Sequence, residues 1–99
     1  MNKFLCFTCA LVLGVSTITP AFAGFKEHYD MGQQYLSNYQ YSGAITEFKS
    51  ALRINYLDNS ARIGLINSYL ARGTYYANTD KNYQKAADDY RAALFYLIY

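Results

Sequence analysis

One twelve-residue pattern occurs twice in this chain, and it restricts the fold more than any other feature. Tyr41-x-x-Ala44-x-x-x-Phe48-x-x-Ala51-Leu52 returns without a gap as Tyr83-x-x-Ala86-x-x-x-Tyr90-x-x-Ala93-Leu94, small residue on small and aromatic on aromatic. Offsets of three and four put Tyr41, Ala44, Ile45, Phe48, Ala51 and Leu52 on one face of a helix, and Tyr83, Ala86, Ala87, Tyr90, Ala93, Leu94 and Leu97 on one face of another. Alanines in such a stripe let two helix axes approach closely, and the aromatic fills the groove beside them. Each helix therefore expects a partner along its small-residue face.

The partner helices precede each copy. Met31, Gly32, Tyr35 and Leu36 mark the first, and Leu65, Ile66, Tyr69 and Leu70 the second, which ends near Gly73. The only proline is Pro20, so nothing after it obliges a helix to break. No segment alternates apolar and polar residues cleanly enough to read as a strand. The expectation is an all-α fold with helices near 25–38, 41–55, 59–73 and 81–98, packed as two antiparallel pairs. Unit one spans about 25–57 and unit two about 58–99. Ala44 to Ala86 is eight residues longer than a 34-residue period, and the surplus is placed near 74–81. Asp58 is the expected N-cap of the third helix, and Thr79 or Asp80 that of the fourth.

This arrangement resembles the tetratricopeptide repeat, a 34-residue helix-turn-helix unit. Met31-Gly32 is similar to that family's Leu-Gly pair, Tyr35 to its tyrosine, and Ala44, Phe48 and Ala51 to its second-helix signature. Leu65-Ile66, Tyr69, Gly73, Ala86, Tyr90 and Ala93 take the corresponding places in unit two. His28 and Arg62 depart from the bulky first-helix position, and Tyr56 stands where a turn proline is frequent. The resemblance implies a short α-solenoid whose pairs stack on one another. It also implies a groove along the first helices, lined here by Tyr29, Gln33, Leu36, Ile63, Asn67 and Leu70, which would hold a peptide or protein. The lysine and asparagine set that clamps a C-terminal carboxylate in some members is not matched at Tyr29 and Gln33, so a neutral or mixed segment is expected. Equally open is that these residues pack only against a neighbouring repeat.

Residues 1–23 read as a signal peptide. Lys3 gives a positive start, Phe4 to Val15 is apolar and uncharged, and Ala21-Phe22-Ala23 is a small-x-small cleavage site. The run is well short of the roughly 20 residues that span a bilayer, so cleavage before Gly24 and no stable membrane insertion afterwards are expected. Cys6 and Cys9 would leave with it, so no disulfide or thiol chemistry is expected in 24–99. A short leader of this kind points to a bacterial protein, periplasmic or secreted.

The rest carries eight Lys or Arg against seven Asp or Glu with the signs mixed, which leaves nucleic acid no electrostatic footprint. His28 is the only histidine, so it has no second imidazole to complete a metal site, and a packed or solvated role is expected. Asp88-Asp89 and Glu47 read as solvated helix carboxylates screened by Lys85, Arg91 and Lys49, and Asp88 and Asp89 point in different directions around a helix. No cofactor, metal or catalytic residue is expected. All 12 tyrosines fall after the leader, which suits thin helical layers and binding surfaces alike. The expected function is protein–protein interaction or scaffolding in the envelope, without catalysis. The alternative is the N-terminal structural or oligomerisation segment of a longer repeat array with no ligand of its own. The apolar ending Leu94-Phe95-Tyr96-Leu97-Ile98-Tyr99 adds possible self-association through the last helix.

Overall fold

The computed structural model describes residues 24–98, so the expected leader and Tyr99 lie outside the described residues. Four helices follow in order: α1 (Phe25–Ser37), α2 (Tyr41–Ile54), α3 (Asn59–Asn78) and α4 (Tyr83–Ile98). No strand occurs among the described residues, and the all-α helix-pair architecture is as expected. α1 packs on α2 and α3 on α4 across short turns, so each pair is antiparallel. α3 also packs on α2 and touches α1 over a short stretch, whereas among the described residues α4 packs closely on α3 alone.

The core follows the small-and-large pattern. Ala44, Ile45, Phe48 and Ala51 of α2 are buried, with Ala61, Leu65 and Tyr69 of α3 and Ala86 and Ala93 of α4. Tyr35 and Leu36 are half-buried against this cluster. Phe48 is 0 % exposed because glycines flank it on both sides. A Cβ built on Gly32 of α1 would stand 2.8 Å from its ring, and one on Gly64 of α3 only 2.6 Å away. Each distance is below any real carbon contact, so the missing side chains set the approach of both helices.

Two boundaries differ from expectation. α3 runs on to Asn78 rather than ending near Gly73, and α4 begins at Tyr83 rather than at 81. The turn 79–82 closes on Asn82, whose Oδ1 accepts the Lys85 N–H at 3.1 Å. Asn82 therefore caps α4, not Thr79 or Asp80, because the α3 backbone continues past Gly73 and only Asn82 stands directly before the first helical residue. Asp58 caps α3 as expected, its carboxylate accepting the Ala61 N–H at 2.8 Å.

The pairs also match in packing register, but shifted from the sequence alignment. Gly73 lies under the Tyr90 ring, at 2.8 Å from a built Cβ, as Gly32 lies under Phe48. The carbonyls of Tyr76 and Tyr35 each accept the last turn N–H, from Asn82 at 2.9 Å and Gln40 at 2.8 Å. Counted back from these points, α3 is seven residues longer than α1, at 20 against 13, and its turn has four residues against three. The additional length carries Ala61, Gly64 and Leu65, and it brings Gly64 against the Phe48 ring.

Both turns use a left-handed residue that is not glycine: Tyr39 at φ 63° and Lys81 at φ 55°. An L side chain there costs about 1 kcal/mol through the clash of Cβ with the backbone, partly offset in a glycine variant by its freer unfolded chain. Lys81→Gly is therefore expected to stabilise the protein by about 0.5 kcal/mol, raising the thermal midpoint by about 2–4 °C. An unchanged or lower midpoint in a calorimetric scan would contradict this reading of the turn.

Candidate functional site

The six expected groove residues divide into two kinds. On α1, Tyr29 and Leu36 are half-buried and packed against the core, while Gln33 is exposed. The Tyr29 ring stacks on Phe25 at 6.0 Å and meets Phe48 edge-on at 5.8 Å, and its hydroxyl accepts from Gln33 Nε2 at 2.9 Å. Most of the Tyr29 ring is thus committed to packing. On α3, Ile63, Asn67 and Leu70 are all exposed. Their spacing of four and three gathers them on one face, opposite the buried Ala61, Gly64, Leu65 and Ser68. Two branched apolar side chains thus flank an amide on the solvent side of the central helix.

Two open clefts were not legible in the sequence. One, of about 250 Å³, is lined by Tyr39, Tyr41, Arg72, Tyr75 and Tyr76 with the first turn of α2. Its tyrosines come in two near-adjacent couples, Tyr39 with Tyr41 and Tyr75 with Tyr76, each beside a turn; that clustering was the available signal. The other, of about 420 Å³, opens between α2 and α4 and is lined by Lys49, Leu52, Arg53, Tyr56 and Tyr96.

Arg72 is the main electrostatic feature. Its Nε and Nη2 donate to the two Asp89 oxygens, both at 2.8 Å, and Nη1 donates to Ser42 Oγ at 2.9 Å. The guanidinium also lies 5.8 Å from the centres of the Tyr69 and Tyr76 rings. Hydrogen bonding to Asp89 raises the arginine pKa further above its ordinary value, so the group stays cationic. This corrects the expectation of two solvated aspartates. Asp89 is 4 % exposed and faces α3, because its place on α4 falls on the buried side. Asp88 is exposed and paired with Arg91 at 2.9 Å.

Glu47 is likewise engaged across helices. It pairs with His28 Nδ1 at 2.7 Å, joining α1 to α2, and not with Lys49. Lys49 instead lies 5.7 Å from the centre of the Tyr69 ring, and hydrogen bonding to Tyr69 raises its pKa above the ordinary lysine value. These contacts tie polar side chains to a neighbouring helix. Among the described residues no group of three or more His, Cys, Asp or Glu is placed to hold a metal ion, and no helix is long and apolar enough to cross a membrane.

Of the expected packing residues, Gly32, Ala44, Phe48, Ala51, Tyr69, Ala86 and Ala93 are buried and Tyr35 half-buried, while Tyr90 is 39 % exposed. Tyr90 rests on Gly73 with its hydroxyl 3.1 Å from Thr74 Oγ1, and among the described residues no further helix covers its other face as α3 covers Phe48. No protein-family model, curated protein or solved structure matches this chain.

Proposed function

We propose that this chain is a non-catalytic protein–protein interaction module of the tetratricopeptide type, exported to the bacterial cell envelope. It holds a peptide or protein segment against the face shared by α1 and α3. The observation that carries this reading is the Ile63-Asn67-Leu70 face: α3 packs on both α2 and α4, yet it keeps two large aliphatic side chains exposed on its remaining side. The Asn67 amide between them can both donate to and accept from a partner backbone, and Gln33 is exposed on α1, which touches α3. With no ionic side chain among these groups, the partner segment is neutral or mixed and is held by apolar side chains plus backbone hydrogen bonds.

A photo-cross-linking residue placed at Asn67 tests this in envelope extract. A single discrete adduct is expected, and Ile63→Asp with Leu70→Asp is expected to weaken capture by roughly tenfold or more, as loss of two buried apolar anchors does. Leu94→Glu, on a different helix, should leave capture intact. An adduct unaffected by the α3 substitutions, or none from Asn67, would place the binding surface elsewhere.

A further inference from the structure

α4 carries an exposed apolar stripe whose covered counterpart is present in the same molecule. Tyr83, Ala87, Tyr90 and Leu94 stand where Tyr41, Ile45, Phe48 and Leu52 stand on α2. On α2 the middle of that face is closed: Ile45 and Phe48 are buried, with Gly64 of α3 against the Phe48 ring, and Tyr41 and Leu52 are half-buried. On α4 the side chains of Tyr83, Tyr90, Leu94 and Leu97 keep between two-fifths and two-thirds of their surface. Such a face is completed by a helix that brings a small residue to the aromatic ring.

We infer that the occupant is α4 of a second copy of this chain, packed antiparallel about a two-fold axis. The stripe runs 83, 87, 90, 94, 97, alternating steps of four and three, which is the seam of a two-helix contact. In an antiparallel pair with Tyr90 opposite Ala87 of the second copy, Tyr83 falls opposite Leu94, and the two-fold repeats both contacts. Ala87 then serves Tyr90 as Gly64 serves Phe48, large against small on both sides of the axis. Of the other helices, α3 has an exposed apolar pair, Ile63 and Leu70, which is the face assigned above to a partner segment, and α1 and α2 expose mainly polar side chains beside Met31 and Ile54. α1 exposes Lys26, Glu27, Asp30 and Gln34, and α2 exposes Ser42, Thr46 and Arg53. Beside the stripe, Asp88 and Arg91 neutralise one another. The exposed stripe amounts to about 500–600 Å² per copy, so the pair buries roughly 1,000–1,200 Å², the lower edge of specific interfaces.

Sedimentation velocity of the purified protein under reducing conditions tests this. A reversible monomer–dimer equilibrium with a dissociation constant of about micromolar is expected for an interface of that size. Leu94→Glu and Tyr83→Glu, both at exposed positions, should each raise that constant at least about thirtyfold while the far-ultraviolet dichroism stays unchanged. Ala87→Leu is the sharper variant. It adds apolar surface but fills the space that Tyr90 needs, so it should raise the constant about tenfold. A protein monomeric up to sub-millimolar concentration would overturn the inference. Ala87→Leu that associates as well or better would overturn the two-fold register, showing a face that is merely apolar.

Discussion

Gly64→Val is expected to destabilise the protein by about 3 kcal/mol, the upper range for overpacking a closed core. The site has no slack. Even a methyl group there would stand 2.6 Å from two carbons of the Phe48 ring, and the opposite side of that ring is stopped by Gly32, where a methyl would stand at 2.8 Å. The ring cannot retreat from α3 without striking α1, so the valine must push the helix pairs apart and open the contact between α2 and α3. Alanine at the same position is expected to do less harm, because its better helix propensity returns about 1 kcal/mol relative to glycine. Shortening the ring should rescue the fold. Phe48→Leu alone leaves a cavity and destabilises, but combined with Gly64→Val the two changes should be less than additive by about 1–2 kcal/mol, as expected for residues in direct contact. Urea unfolding followed by far-ultraviolet dichroism measures all four variants. A Gly64→Val protein within about 0.5 kcal/mol of the parent, the level of an ordinary surface change, would show that Phe48 is not clamped between the two pairs.

Arg72→Met should be comparably harmful, by about 3 kcal/mol, through a different mechanism. The substitution leaves the Asp89 carboxylate, 4 % exposed, without its two guanidinium hydrogen bonds and without an opposite charge. Breaking one side of a buried ion pair is typically worth about 3–5 kcal/mol, and the lower end applies because the arginine side chain is 24 % exposed. The damage should fall on the join between units as well as within unit two, since the same guanidinium reaches Ser42 on α2. Replacing both partners separates the cost of an orphaned charge from the worth of the pair. Arg72→Met with Asp89→Leu removes both desolvated groups and is expected to recover about half or more of the loss. If the double variant were as unstable as the sum of the singles, the pair itself would be contributing net stability and the orphaned-charge account would fail.

The secondary structure was legible in the sequence because its signals are local. Periodicity in Tyr41–Leu52 and Tyr83–Leu94 shows which residues share a helical face, and the alanines within it show where another helix approaches. Pairing of adjacent helices follows from turns too short to allow anything else. The same signals identified Gly32 and Phe48 as packing positions, and both are buried.

What the sequence left open depends on contacts between residues far apart in the chain. Gly64 is one glycine in a helix until α3 is laid across α2, and only then does its missing side chain become the space that Phe48 occupies. Asp89 looks like its neighbour Asp88 until the rotation of α4 on α3 turns one carboxylate inward to Arg72, 17 positions earlier, and the other outward to Arg91. Tyr90 has the place of Phe48 in the repeat but not its burial, because burial depends on how many helices arrive and not on the residue that receives them. Local periodicity determines which face a helix buries. Which helix covers that face, at what register and from how many sides, is decided by the packing of distant segments, and no pattern confined to one helix carries that information.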